Sequence, residues 1–435
     1  MDLECWLEAV SSFRPDGVGL QAWSLCAAES ARLTLQTKDL QTGNAHTPFS
    51  LSESCAASYL LHWQDGLLSR GSLERHELER ETPQALAAAR HAAYEDPDAA
   101  LVLGPARFPD VHLHDSRLAA VAAGDVGLLL ERLEQIRDRV RSPDFRTWSS
   151  TFHASDSEVR VITSLGLDVA ARGTVWSWHV SVDGELGSGY RARDAEPLGE
   201  SAARLDRLLQ TVRILRRPAP PLTGGPRPVV LHPGVVEELV LAILLHHLDG
   251  ATVAHGEGRF AREQFGSPAP VLREDLALRL DPLRPLRAGS YRFTMEGLPA
   301  APCAYIDRGR LVTPVVNLKY SRRLQVEPTP IPYGLDALFL EGPGPLTTAE
   351  AFAEASGGVL VLTVLGVHTL DAASGDFSLA SPQVLHLGAE GPDGRLRATI
   401  SGNVFDLLRS EALRLVTFEG EQTPGLLVRC RLDPK

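Results

Sequence analysis

A proline- and glycine-rich segment near the middle of the chain constrains the fold more than any other feature. Residues 216–228 read RRPAPPLTGGPRP. Proline fixes its backbone angle and lacks an amide donor, so a run this rich in proline does not form a helix interior or a central strand. A chain of 435 residues also exceeds the size at which a single hydrophobic core usually stops growing. We therefore predict two domains, residues 1–215 and 229–435, with residues 216–228 as their linker.

The charge and the cysteines exclude several classes of protein. The chain carries 43 basic and 55 acidic side chains, and this net charge of −12 does not attract a nucleic-acid backbone. Its five cysteines are odd in number and far apart, unlike a disulfide framework or a CxxC zinc pair. The longest uncharged stretch, residues 355–370, is shorter than the roughly 20 residues of a membrane-spanning helix. We predict a cytoplasmic protein that binds neither nucleic acid nor membrane.

The N-terminal half contains a hairpin followed by a helix, and this unit occurs twice. The first hairpin turns at an Asp-Gly pair ending in Gly66, and Thr82 is the predicted cap of the helix that follows. The second hairpin turns at Gly184 and precedes a helix over residues 198–215. The pattern predicts an α/β domain made of hairpins and helices.

The C-terminal half is richer in strands, so the whole chain is predicted to be α+β. Valine-rich runs and turn signals predict strands at residues 229–231, 304–312, 359–367 and 395–400. Predicted helices cover residues 235–248, a short stretch with a capping box at Thr347, and residues 404 to about 415 with Asn403 as cap.

The residues best suited to metal and acid–base chemistry lie where a predicted strand meets a helix. His232 and Glu237 carry an imidazole and a carboxylate, which are common zinc ligands. A zinc peptidase also needs a base for its bound water, and in the HExxH pattern the glutamate after the first histidine supplies it. Pro233 occupies that position. Five residues along a regular helix turn the side chain by about 140°, so one ion could bind both groups only at a distorted helix start.

The residues alone leave two interpretations of this segment open. His232 and Glu237 either bind a divalent metal at a distorted helix start or are solvated side chains of its first turn. The chain contains no P-loop, GxSxG elbow or EF-hand loop. No other catalytic signature therefore competes with this segment.

Two short motifs lie in the C-terminal quarter of the chain. Residues 375–378 read GDFS, a glycine turn with an acidic acceptor and an aromatic anchor, which is typical of an irregular loop. Residues 401–403 read SGN in front of an apolar helix. The residues of this predicted motif loop are Gly375, Asp376, Phe377, Ser378, Ser401, Gly402 and Asn403.

Together with the segments at residues 229–256 and 295–299, these motifs resemble the TldD/PmbA family of peptidase-complex proteins over nearly the whole chain. The GDFS and SGN motifs are the most specific part of the resemblance. In the TldD branch, an HExxxH element supplies two zinc ligands and the catalytic glutamate. The resemblance places His232 at the first ligand, Pro233 at the catalytic glutamate and Glu237 at the second histidine.

The resemblance also implies where the third ligand, a cysteine in the TldD branch, would lie. That region, residues 417–422, contains no cysteine. These departures match the TldE branch, also called PmbA, which shares the fold but lacks the zinc site. The resemblance therefore implies no catalytic residue and no metal in this chain, with zinc in a TldD-like partner subunit.

The function implied by the resemblance is that of a non-catalytic, TldE-like subunit in a metallopeptidase complex that degrades or processes unfolded or modified peptides. Two alternatives stay open. The chain could be a self-sufficient metal-dependent peptidase with an atypical site at His232 and Glu237, or a stand-alone homodimer that binds peptides without catalysis.

Overall fold

The alternating apolar pattern of the N-terminal half folds into one long antiparallel sheet. The computed structural model describes residues 3–38, 41–42, 49–195 and 198–435. Among these residues the sheet has the strand order β4-β3-β1-β5-β6-β7, with β2 paired to β1. The strands are β1 (Leu20–Lys38), β2 (Gln41–Thr42), β3 (Phe49–Trp63), β4 (Leu68–Glu74), β5 (Trp148–Thr163), β6 (Asp168–Val182) and β7 (Leu186–Ala192).

Helices cover one face of this sheet. They are α1 (Glu4–Ser12), α2 (Arg75–Glu79), α3 (Thr82–His91), α4 (Ser116–Ala122), α5 (Gly127–Val140) and α6 (Leu198–Leu215). Leu25 of β1 pairs with Ile162 of β5, and both pack in the cluster beneath the first three helices. Their neighbours Cys26 and Val161 face the other side and pack against Phe293 of the C-terminal domain. The sheet therefore contributes to two interiors, one on each face.

Two further sheets, of four and seven strands, make the C-terminal domain strand-rich. The first has the order β11-β10-β9-β12 and the second β13-β17-β18-β16-β15-β14-β8. Their strands are β8 (Gly225–Leu231), β9 (Ala277–Leu280), β10 (Cys303–Asp307), β11 (Arg310–Leu311), β12 (Leu338–Glu341), β13 (Leu346–Thr347), β14 (Val359–Val361), β15 (Asp376–Gly388), β16 (Gly391–Asn403), β17 (Arg414–Thr417) and β18 (Gly425–Pro434).

The second sheet closes on itself. Strand β8 pairs in parallel with β14 and antiparallel with β18, and β14, β15, β16 and β18 are paired in that order. These pairings form a ring of strands with no free edge between β8 and β18. Val229 and Leu231 of β8 are fully buried in the domain's main hydrophobic core.

A buried helix follows β8 and carries the candidate site. It runs from Pro233 to Leu248 as α7 (Pro233–Val235), a π-helical segment (Val236–Leu241) and α8 (Ala242–Leu248). The remaining helices are α9 (Gly250–His255), α10 (Leu318–Leu324), α11 (Thr348–Glu354) and α12 (Val404–Arg409). Short 3₁₀ turns occur at Pro15–Gly17, Arg262–Gln264, Leu335–Ala337 and Val367–Thr369.

The structure confirms the predicted α+β class, both hairpin turns, the helix over residues 198–215 and the capping box at Thr347. Thr82, however, is not a helix cap. Helix α3 already includes Thr82, whose hydroxyl donates to the carbonyl oxygens of Glu77 and Leu78 at 3.0 and 2.9 Å. Its side chain therefore joins α3 to the helix before it.

Two other predicted elements are shorter than expected. Asn403 does cap α12, but the helix ends at Arg409, and β17 begins at residue 414. The apolar run at residues 359–367 forms a strand only as far as Val361. Apolar composition alone does not fix the backbone conformation, so the length of each element could not be predicted from it.

The segment between α6 and β8 contains no regular helix or strand in the described residues 216–224. Strand β8 begins at Gly225, inside the stretch for which we predicted a linker. No described helix is long and apolar enough to cross a bilayer.

Candidate functional site

The candidate site begins where β8 ends. His232 is the N-cap of the helix, and its Nδ1 accepts a hydrogen bond from the amide of Gly234 at 3.2 Å. Pro233 takes the first helical position, where its missing amide leaves no bond unmade. Because Nδ1 accepts a hydrogen bond, the neutral ring of His232 carries its proton on Nε2.

The surroundings of His232 disfavour its charged form. Burial, followed by the positive charges of Arg207 and Arg204, lowers the pKa of His232 to about 3. The ring also stands edge-on to Phe418, with 5.2 Å between the ring centroids. At neutral pH, His232 is therefore an uncharged imidazole beside two cations.

The helix start is distorted, and Glu237 lies in the distorted part. Residues Val236–Leu241 form a π-helix, which bonds residue i to residue i+5 and often marks functional sites. Such a turn brings residues five apart closer to one side of the helix than an α-helix does. His232, the N-cap in front of this segment, and Glu237 within it both line the same cavity.

Glu237 is tied to the C-terminal segment that follows β17. The hydroxyl of Thr423 donates to Oε1 of Glu237 at 2.6 Å. Burial raises the pKa of Glu237, while the Thr423 hydrogen bond and Arg204 act in the opposite direction. The net direction is upward, so this carboxyl retains its proton more readily than one in water.

The region in which the resemblance places the third ligand also reaches the cavity. One of its two glutamates, Glu421, pairs with two arginines of α6 from the N-terminal domain. The distances are 2.9 Å from Nη2 of Arg204 to Oε2 and 3.7 Å from Nη2 of Arg207 to Oε1. Only 14% of the Glu421 side chain is exposed, and burial raises its pKa against the opposing effect of the arginines.

These groups line a cavity of about 730 Å³ between the two domains. Strand β7 and helix α6 form its N-terminal wall, and the start of the buried helix forms part of the opposite wall. Apolar side chains such as Phe352, Leu360 and Phe418 complete the lining. Its charged lining residues are Arg204, Asp206, Arg207, Glu237, Glu238, Glu419 and Glu421.

The residues present do not fit the zinc centre of a metallopeptidase. Such a centre uses three protein ligands and leaves a fourth position for water. Within the described ranges, no three His, Cys, Asp or Glu side chains are grouped so that they could hold a metal ion. Cys430, the cysteine that follows the expected region, is buried in the core, and burial raises its pKa to about 12. The side chain of Pro233 has no group that could accept a proton from water.

The motif residues lie outside this cavity lining and connect two strands to a helix. Asp376, Phe377 and Ser378 belong to β15, where they pair with Asn403, Gly402 and Ser401 of β16. The prediction of an irregular loop was therefore wrong for residues 376–378, because the pairing continues to the strand ends. Only Gly375, with a φ of 72°, occupies a turn conformation that favours glycine.

Asn403 links the two motifs. Its Oδ1 accepts hydrogen bonds from the amides of Phe405 and Asp406 at 3.0 and 3.3 Å. Its Nδ2 donates to the carbonyl oxygen of Ser374 at 3.0 Å and to Oδ1 of Asp376 at 2.8 Å. One side chain thus both caps helix α12 and ties together the ends of β15 and β16.

Sequence reasoning found His232, Pro233 and Glu237 but missed the residues that surround them. Arg204 and Arg207 lie in a different domain from Glu421, more than 200 positions away along the chain. The available signal was their spacing of three, which places both on one face of the predicted helix. It did not reveal what that face contacts.

Comparisons with known proteins agree with this geometry. Residues 224–429 match the sequence model of the PmbA/TldA metallopeptidase C-terminal domain. TldE from Thermococcus kodakarensis has 16% identity and a TM-score of 0.77, with 95% of this chain and 97% of that chain covered. No curated protein matches the chain in sequence.

Two further solved structures share the fold, and both are described as candidate modulators of DNA gyrase. The protein from Thermotoga maritima has 17% identity and a TM-score of 0.77, with 99% of each chain covered. The protein from Bacteroides thetaiotaomicron has 17% identity and a TM-score of 0.75, with 95% of each chain covered. The C-terminal half of the chain therefore matches the PmbA/TldA metallopeptidase C-terminal domain in sequence, and the chain shares the fold of these solved structures.

Proposed function

We propose that this protein is a non-catalytic, TldE-like subunit of a two-chain zinc metallopeptidase that degrades or processes unfolded or modified peptides. The partner is a TldD-like subunit, which holds the zinc and the catalytic glutamate. This chain contributes a wall of the chamber in which the peptide is held. A cytoplasmic location remains part of this proposal.

The observation that carries the proposal is Pro233. Zinc-dependent peptide hydrolysis needs a base that takes the proton from the metal-bound water, and that base must lie within hydrogen-bonding reach. At the position of the base, this chain has a side chain without any polar atom. The resemblance places Glu237 at the second ligand rather than at the base, and its Oε1 accepts a hydrogen bond from the hydroxyl of Thr423.

The sequence match to the PmbA/TldA metallopeptidase C-terminal domain and the fold shared with TldE support the subunit role. The ion pairs at Glu421 support it as well, since they engage a carboxylate of the region where a third ligand would lie. Two alternatives remain to be tested against the proposal. One is a self-sufficient peptidase at His232 and Glu237, and the other is a homodimer that binds peptides.

The test compares the purified chain with the chain combined with a TldD-like protein that contains an intact HExxxH element. Zinc content is measured by mass spectrometry and cleavage with an unstructured peptide. We expect neither zinc nor cleavage from this chain alone, and both from the pair. His232→Ala should leave the activity of the pair unchanged, as should the control His76→Ala at an exposed position.

Two outcomes would overturn the proposal. Stoichiometric zinc and peptide cleavage by the chain alone, both lost in His232→Ala, would establish the self-sufficient peptidase. If affinity purification from the native cell recovered only further copies of this chain, the homodimer would replace the heteromeric complex.

A further inference from the structure

The cavity between the two domains is large enough for a segment of a peptide. Its volume of about 730 Å³ lies within the range of roughly 300–1,000 Å³ that is usual for ligand pockets. Carboxylate side chains outnumber cations in its lining, because five acidic residues stand against two arginines. The acidic residues are Asp206, Glu237, Glu238, Glu419 and Glu421, and the arginines are Arg204 and Arg207. The charge of the lining therefore favours a positively charged ligand.

Both arginines of the lining already have partners. Nε of Arg204 donates to the carbonyl oxygen of Gly420 at 2.7 Å, and its Nη1 donates to that of Gly189 at 2.7 Å. Its Nη2 forms the 2.9 Å ion pair with Oε2 of Glu421, whose Oε1 lies 3.7 Å from Nη2 of Arg207. An anionic ligand would have to compete with these bonds before it could pair with either arginine.

Two of the carboxylates, in contrast, have no cation beside them. Glu238 lies on the π-helical segment and Glu419 on the turn after β17, and both residues are exposed. Within the described part of the chain, neither side chain forms an ion pair or a hydrogen bond. Asp206 differs, because Nη1 of Arg139 lies 2.6 Å from its Oδ1. Glu238 and Glu419 are therefore the carboxylates available to the cation of a ligand.

The negative charges of the lining also act on its buried carboxyl groups. Burial, and after it the charges of Asp336 and Glu238, raises the pKa of Glu237. Burial, and after it the charge of Glu237, raises the pKa of Glu421 despite the two arginines. This mutual repulsion would decrease if a positive charge entered the cavity.

Apolar side chains line the same cavity. They are Phe352, Leu360, Leu362, Leu385 and Phe418. Lysine and arginine have an apolar stem and a cationic head, so such a side chain can pack its stem on this wall and direct its head to a carboxylate. A metal ion would gain nothing from the apolar wall, and within the described ranges no three potential ligands are grouped to hold one.

We propose that this cavity selects cationic peptide segments, whose lysine or arginine heads pair with Glu238 and Glu419 while their stems pack against the apolar wall. The inference rests on the proposed function, because it takes the cavity as part of the peptide chamber. It goes further by naming the class of peptide that this chain prefers and the two residues that determine the preference.

Fluorescence anisotropy measures the affinity of the full chain, alone and paired with a zinc-depleted TldD-like protein, for three labelled unstructured peptides. The peptides have the same length and differ only at three positions, which carry lysine, glutamine or glutamate. At about 50 mM salt, where surface charges are weakly screened, we expect the lysine peptide to bind about fivefold more tightly than the glutamine peptide. The glutamate peptide should bind more weakly than both.

The test variant combines Glu238→Gln with Glu419→Gln and should bind the lysine and glutamine peptides equally. The matched control combines Glu263→Gln with Glu327→Gln, which removes the same number of charges at exposed positions outside the cavity lining. The control should keep the preference for lysine. An equal loss of preference in the control would show a general effect of net charge and would overturn the inference.

The single variant Glu419→Gln covers the case in which the double variant does not fold, since Glu419 lies on an exposed turn. It should reduce the preference to about half. An unchanged preference in the folded double variant, or in this single variant if the double does not fold, would refute the inference. So would the absence of a preference for lysine, or of any peptide binding, in the unmodified protein.

The zinc-loaded pair separates this inference from the proposed function. Assembly of the pair and cleavage of all three peptides at equal rates would refute the preference and leave the subunit role intact. A chain that binds the lysine peptide selectively but forms no pair would remove the subunit role and keep the preference.

Discussion

At the scale of single residues, the state of His232 decides what the cavity offers to a ligand. Its ring is neutral because burial and two arginines disfavour the imidazolium, and its proton lies on Nε2 because Nδ1 accepts from Gly234. At Nε2 the ring therefore presents a hydrogen-bond donor, whereas a metal ligand needs a free lone pair on the nitrogen that binds the ion. A tautomer change would first have to break the bond to Gly234.

We expect His232 to remain neutral down to about pH 4, since its pKa is lowered to about 3. Ring nitrogen shifts in an NMR titration measure this directly, and the signal missing from His232→Gln identifies the residue. A titration midpoint near pH 6.5 for this signal, the ordinary histidine pKa, would contradict the buried surroundings of His232.

The same lowered pKa links His232 to acid stability. The unfolded chain protonates this histidine near pH 6.5, whereas the folded chain does so only near pH 3. Between these values the unfolded state binds more protons, so the contribution of His232 to stability falls as the pH decreases. Above pH 6.5 the contribution is fully present.

How far the sequence could predict the site is clearest at this scale. Pro233, His232 and Glu237 are neighbours in the chain, so their chemistry could be read directly. The pairing of Arg204 with Glu421 depends on how two domains meet, and no local pattern records that contact. The resemblance did indicate the right stretch, residues 417–422, but as the place of an absent cysteine.

At the scale of single elements, the junction of β15, β16 and α12 depends on Asn403. We expect Asn403→Ala to destabilise the protein by about 2 kcal/mol, because it removes a helix cap and also the amide group that donates to the carbonyl oxygen of Ser374 and to Oδ1 of Asp376. Chemical unfolding followed by circular dichroism measures the loss.

Asn317→Ala is the comparison for that variant. Asn317 also caps a helix, α10, but its side chain accepts a single hydrogen bond, from the amide of Tyr320 at 3.0 Å. Its loss should cost about 1 kcal/mol, as for an ordinary cap. Equal effects of the two variants would mean that Asn403 acts only as a cap.

Helices and turns that are set by neighbouring residues could be predicted from the sequence, whereas the length of a strand that depends on distant partner strands could not. Helix α6 followed from its apolar spacing, and the hairpin turns followed from their Asp-Gly pairs. Residues 362–367 are as apolar as the strand before them, yet Val361 is the last residue paired in β14. Strand length there depends on where the partner strands β8 and β15 are paired, which the apolar run does not state.

At the scale of the whole molecule, Gly297 is a close contact between the domains. A methyl group there would lie 2.5 Å from Cδ2 of Leu167 in the N-terminal domain, and the backbone φ is 86°. We expect Gly297→Ala to destabilise the protein by about 2–3 kcal/mol through backbone strain and the forced shift of Leu167. Thermal unfolding measures the change.

Gly66→Ala separates these two causes. Gly66 has nearly the same φ, 87°, but a methyl group there would meet no atom within 4 Å. Gly66→Ala should lower the free energy of unfolding by about 1 kcal/mol, from backbone strain alone. If Gly297→Ala proved no more harmful than Gly66→Ala, the packing between the domains at this point would have to be loose.

The arrangement of the sheets was beyond the reach of sequence patterns. Alternation predicts that a strand has a buried face, but pairing partners in the C-terminal domain are separated by up to 207 positions, as for Gly225 of β8 with Leu432 of β18. Recognising the family implied the two-domain α+β fold, and the structure confirms that class. The particular strand order required the structure itself.

The ring of strands has a consequence for synthesis on the ribosome. Strand β8 emerges early, yet one of its two neighbours, β18, spans Gly425–Pro434 and is made some 200 codons later. Until then β8 and β16 each expose an unpaired edge to other nascent polypeptides. The hairpins of the N-terminal domain can complete during translation, whereas the ring must wait for those late residues, and unpaired strand edges of this kind make a folding intermediate prone to aggregation.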